Sequence, residues 1–222
     1  MTDVRPGPGY RAGPPAADKP LWQRVVPDFR GQVMAVERVE KLLANVARAL
    51  DGAGIEYAVI GGNAVAAWVS TVDEGAVRAT KDVDVLVRPE DISAIDEALR
   101  PLNLMRVEVL GVHMYVDRET PNPRLGVHLV FANQKIRPEY RYPAPDPKSS
   151  ARLGAGFRIM DLAELVRMKL QAFRRIDQVH IEDLLRIGLI DAKLAGRLPE
   201  DLRQRLREVR DTMEWHAPPP VF

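Results

Sequence analysis

Residues 55–87 read IEYAVIGGNAVAAWVSTVDEGAVRATKDVDVLV, and the order of elements within this stretch decides the fold. Tyr57-Ala58-Val59-Ile60 is an apolar run of strand length, Gly61-Gly62 supplies a tight turn, and Asn63-Ala64-Val65-Ala66-Ala67-Trp68 begins a helix. Backbone N–H groups at such a helix start attract an anion. Farther on, Val83, Val85 and Val87 alternate with Asp82, Asp84 and Leu86. Side chains two apart on a strand share a face, so Asp82 and Asp84 project together. Two like charges held that close repel, and a hard divalent cation, usually magnesium with phosphate oxygens in its shell, relieves them. The stretch therefore predicts a strand, a phosphate-binding turn, a helix and a second strand that carries metal ligands.

Gly61-Gly62 followed by Arg78-Ala79-Thr80-Lys81-Asp82-Val83-Asp84 resembles the signature of the polymerase-beta-like nucleotidyltransferase superfamily. Within it the chain looks like the small bacterial branch of abortive-infection toxins and minimal and aminoglycoside nucleotidyltransferases. The specificity lies in the combination: the order of the motifs, the Arg-x-Thr between them and a strand on either side of a helix. The resemblance implies an α/β (α+β) nucleotidyltransferase fold that moves a nucleoside monophosphate from a nucleoside triphosphate (NTP) to a hydroxyl. Magnesium, or manganese, would sit on Asp82 and Asp84, with Gly61, Gly62, Asn63, Arg78 and Thr80 toward the nucleotide. It also implies a toxin–antitoxin or phage-defence setting, with a cognate antitoxin as partner and transfer RNA, a protein or a small molecule as acceptor.

A second segment, Asp161 to Gly188, reads DLAELVRMKLQAFRRIDQVHIEDLLRIG and predicts one helix or two in sequence. Asp161 with Glu164 three residues on has the spacing of a capping box, and Gly188 is a stop. Lys169-Leu170-Gln171-Ala172, then Arg174, Asp177 and Asp183, resemble the helical element that follows the catalytic sheet in the same branch. There the Lys and Arg approach the phosphates, which places Lys169 and Arg174 on the nucleotide by resemblance. The residues alone also fit an amphipathic surface helix carrying ion pairs three and four apart.

The pattern departs from the superfamily at one place. A third carboxylate is expected on a later strand, and Leu125-Gly126-Val127-His128-Leu129-Val130-Phe131 holds His128 there. Imidazole suits manganese or zinc better than magnesium, and it can also act as a base near neutral pH. Three readings follow: His128 is a ligand or base, the enzyme works with one metal at reduced activity, or the chain is a nucleotide- or partner-binding relative without turnover. Glu108 and Asp117, on neighbouring predicted strands, are the other sources of an oxygen ligand.

The 222 residues allow a sizeable core, and 46% hydrophobic with 28% charged residues is an ordinary globular composition. There is no cysteine, which excludes disulfides, thiolate nucleophiles and thiolate zinc sites. No apolar run reaches membrane-spanning length, the N-terminus lacks a signal peptide's apolar core, and a cytoplasmic location is expected. A net charge of +1 does not by itself indicate nucleic acid. A metallohydrolase built on His113, His128, His180 and Asp183 fails for want of an adjacent His-Asp pair. The expected layout is a Pro/Gly-rich tail at 1–30, a catalytic core at 31–133 with a mixed sheet of about five strands, a basic Pro-rich connector at 134–158, a helical region at 159–215 and a tail at 216–222. The connector reads either as a linker to the helices or as a loop across the acceptor side of the cleft that touches RNA.

Overall fold

The computed structural model describes residues 29–153 and 156–215, so the expected tails lie outside the described residues except for Phe29 and Arg30, which belong to the first helix. That helix, α1 (Phe29–Gly52), turns Val39, Leu43, Val46, Ala47 and Leu50 to one side, a 3.6-residue stripe that ends at Gly54 with φ +69°. The strands that follow are β1 (Tyr57–Val59), β2 (Val83–Val87), β3 (Leu104–Val109), β4 (Val112–Asp117), β5 (Val127–Phe131), β6 (Ser150–Arg152) and β7 (Arg158–Met160). They form one mixed sheet in the order β3-β4-β5-β2-β1-β7-β6. The sheet has seven strands where about five are expected, because β6 and β7 extend it beyond β1.

Period-two alternation sorts the strand side chains into two cores. Tyr57, Val59, Val83, Val85, Val87, Val127 and Leu129 face α1 and α3 (Ile92–Leu99), whose Ile95 and Leu99 are buried. Ala58 and Leu86 face the other way, into a core with Ile159, Met160 and four helices. These are α2 (Gly61–Ser70), α4 (Leu162–Ala172), α5 (Arg175–Arg186) and α7 (Glu200–Trp215); the short α6 (Ala192–Arg197) precedes the last. Trp68 Nε1 donates to the Met160 carbonyl at 2.9 Å and fastens α2 to β7.

The segment expected as one or two helices is two. Phe173 takes the left-handed conformation, φ +51°, between α4 and α5, and its N–H closes the last turn of α4 onto the Lys169 carbonyl at 2.9 Å. Asp161 caps α4 through Ala163 N at 2.9 Å, whereas Glu164 pairs with Arg167 and does not complete a capping box. Among the described residues no helix is long and apolar enough to cross a membrane.

Candidate nucleotide and metal site

Asp84 shares the parity of Leu86, so its carboxylate emerges on the α2 side of the sheet near the start of β2. The turn before α2 lies against it. Gly61 has φ +68°, and a Cβ there would sit 2.0 Å from Asp84 Oδ2, so only glycine admits both the backbone and the carboxylate. A Cβ on Gly62 would press on Thr80 Oγ1 at 3.0 Å. Ile60 is the N-cap of α2 and offers no capping side chain, which leaves the helix start as a set of N–H donors beside Asp84. Asn63 Nδ2 donates to the Asp82 carbonyl at 2.7 Å and Thr80 Oγ1 donates to Asp82 Oδ1 at 3.2 Å, fixing the approach to β2.

β5 runs parallel to β2 with His128 opposite Asp84, so the two side chains share a face. His128 Nδ1 stands 3.5 Å from Asp84 Oδ1 and 3.8 Å from Asp82 Oδ2, while Nε2 lies 2.9 Å from the Pro123 carbonyl. A carbonyl only accepts, so Nε2 carries a hydrogen. Asp84 raises the His128 pKa to about 9; burial opposes the rise, and the Pro123 carbonyl and Asp82 add to it. Asp82, Asp84 and His128 are the group among the described residues whose candidate donor atoms all fall within 4.8 Å of one another. Two carboxylates and an imidazole fit a divalent ion that accepts nitrogen as well as oxygen.

Neither alternative carboxylate joins them. Glu108 faces His113 at 3.8 Å within the β3–β4 pair, and Asp117 accepts from Glu119 N and Thr120 N in the turn after β4.

Lys169 and Arg174 meet at one buried acid. Asp177, with no exposed side-chain surface, accepts from Lys169 Nζ at 3.0 Å and from Arg174 Nε at 2.7 Å, and it caps α5 through Arg174 N at 3.2 Å. Burial pushes its carboxyl up, but Arg174 and Lys169 outweigh burial and hold it below the ordinary range. Lys169 and Arg174 border the same cleft of about 650 Å³ as Gly61, Asp84 and His128. Arg78 turns elsewhere. Its guanidinium grips Asp183 of α5 through Nε at 2.6 Å and Nη2 at 3.1 Å, beside Thr80, Gly62 and His180.

Gln134, Lys135, Ile136, Arg137 and Tyr140, from the stretch expected as a connector, also line the cleft. That stretch is tied down. Tyr142 N donates to Gln171 Oε1 at 2.6 Å and its carbonyl accepts from Gln171 Nε2 at 2.7 Å, while Asp146 pairs with Arg88 at 2.8 Å. Gln171, between Lys169 and the helix break, carries no sequence signal for this role.

This architecture is a nucleotidyltransferase fold. It superposes on the solution structure of the antibiotic-resistance factor ANT(2'')-Ia with a TM-score of 0.50 at 18% identity, covering 80% of this chain and 95% of that one. It also matches the crystal structure of an antigenic nucleotidyltransferase-like protein from Paracoccidioides brasiliensis, TM-score 0.53 at 17% identity, covering 81% and 90%. No protein-family model matches the chain, and no curated protein matches it in sequence.

Proposed function

We propose that the chain transfers a nucleoside monophosphate from an NTP to a hydroxyl acceptor. The observation that carries this reading is the convergence of Asp82, Asp84 and His128 on one point beside the Gly61 turn. Asp82 and Asp84 would hold the divalent ion, which when bound neutralises charge on the phosphates. The N–H groups from Gly61 to Asn63 receive phosphate oxygens, and Lys169 and Arg174, held in place by Asp177, supply positive charge across the cleft. Thr80 orders Asp82, and Arg78, bound to Asp183, ties the segment before β2 to α5.

Calorimetry with a triphosphate tests it. Binding should require a divalent ion, and the double variant Asp82→Asn, Asp84→Asn should lose it with the fold intact. Unchanged affinity in that variant sinks the assignment. Incubation with each labelled triphosphate plus total RNA or purified proteins then identifies the acceptor.

His128 in place of a carboxylate supports a second reading, nucleotide binding without turnover. Metal-dependent triphosphate binding with no labelled product from any acceptor class would favour it. The toxin–antitoxin setting and cytoplasmic location rest on the sequence; co-purification with a small cognate regulator is the measurement that bears on the first.

A further inference from the structure

We infer that His128 is a metal ligand through Nδ1 and that it makes this centre selective for manganese over magnesium. The inference deepens the transfer reading and rests on it. The parallel register of β2 and β5 sets His128 beside Asp84. The Pro123 carbonyl, 2.9 Å from Nε2, holds a hydrogen there, so Nδ1 is the ring atom that an ion can take in place of a hydrogen. Nδ1 faces one oxygen of Asp84 at 3.5 Å and one of Asp82 at 3.8 Å, spacings longer than a good hydrogen bond and short enough for a shared ion. A ring nitrogen turned to the ligand site while the other donates to a backbone carbonyl is the usual support of a metal-bound histidine.

That support is built into the chain. Pro123 opens a short 3-10 turn, Pro123–Leu125, in which Asn122 Oδ1 accepts from Arg124 N at 3.0 Å. Gly126 then passes so close to β4 that a Cβ would lie 2.7 Å from the Tyr115 carbonyl. The turn is thereby pressed to the sheet, with the Pro123 carbonyl at the Nε2 edge of the His128 ring. A ring free to serve as base would present its lone pair to an incoming hydroxyl, whereas this one is aimed between two carboxylates. Magnesium takes oxygen ligands almost exclusively. Manganese accepts the carboxylates and phosphates and lies on the series of ions that bind imidazole.

Electron spin-echo spectroscopy of the full chain with bound manganese reads the ligand directly. The wild type should show a coordinated nitrogen, His113→Gln should keep it, and His128→Gln should lose it. In competition, manganese should outcompete magnesium by more than about tenfold, and His128→Asp should shrink that ratio by about tenfold or more. Manganese bound through oxygen alone in the wild type, a nitrogen signal that survives His128→Gln, or equal affinity for the two ions overturns the inference while leaving the transfer reading standing. A wild-type spectrum with oxygen ligands alone overturns the inference even if a variant fails to fold, and His128→Asp gives a second test of the nitrogen's source if His128→Gln does not fold. Absence of divalent binding, with or without a non-hydrolysable triphosphate, removes the transfer reading itself and this inference with it.

Discussion

Two clusters border the same cleft, each setting carboxylate against cation, and they are finished to different degrees. In the helical one, Asp177 is fully buried and saturated: Lys169 at 3.0 Å, Arg174 Nε at 2.7 Å and the Arg174 backbone at 3.2 Å satisfy it from within. In the strand one, Asp82, Asp84 and His128 are partly exposed, and their nearest charged approach is 3.5 Å. A buried charge without partners is costly, so the helical cluster must be complete before any ligand arrives. Partly exposed charges keep water, so the strand cluster can stay open without partners. The closed cluster is complete as folded; the open one leaves its donor atoms unsatisfied by one another.

The sharpest test of that division removes the buried acid. Asp177→Asn keeps the size and a capping oxygen but leaves Lys169 buried without its countercharge, and it should cost about 3–5 kcal/mol in denaturant unfolding. A loss below about 1 kcal/mol would erase the distinction between the clusters.

A smaller effect concerns His180, next to the closed cluster. Burial, with Lys169 adding to it, lowers its pKa to about 4, while Asp177 and Asp183 pull the other way and Arg78 adds to the lowering. The unfolded chain therefore takes up the proton first. Stability should be fully present above about pH 6.5 and should fall by about 2–3 kcal/mol as the pH drops toward 4. His180→Gln should flatten that part of the profile in metal-free protein. An unchanged slope would mean that His180 titrates in contact with solvent.

The smallest expected effect sharpens the comparison from the other side. Asp84→Asn should change metal-free stability by less than about 1 kcal/mol, because it removes a loose, partly exposed pairing and relieves repulsion with Asp82. A loss as large as that of Asp177→Asn would show the strand cluster to be structural as well.

How much of this the sequence disclosed depends on the range of each signal. Asp82, Asp84 and the glycine turn stand within one strand-turn-helix-strand unit, where period two and a Gly-Gly pair speak directly. His128 was placed by the strand pattern, and the register sets it beside Asp84. The pairing of Lys169 with Asp177 depends on a break at Phe173, a non-glycine residue in the left-handed region, which propensity does not announce. β6 and β7 are three residues each, too short for alternation to register, and their hairpin joins the sheet only through the pairing of β7 with distant β1. Arg78 sits inside the motif yet answers to Asp183, 105 residues away. Local chemistry was legible; side chains chosen by distant partners were not.

The β1–β7 pairing also governs how the chain is made. Val59 pairs with Ile159, about 100 residues downstream, so a nascent chain carries β1 with an open edge until the last strand leaves the ribosome. At ordinary rates of synthesis that interval is roughly 5–20 s. Tyr57-Ala58-Val59 is apolar and without a gatekeeping charge, and an apolar unpaired edge invites pairing with a foreign strand. Truncated products ending before Arg158 should therefore aggregate, and the yield of intact protein should be governed by how quickly the second half of the chain arrives to cover the first.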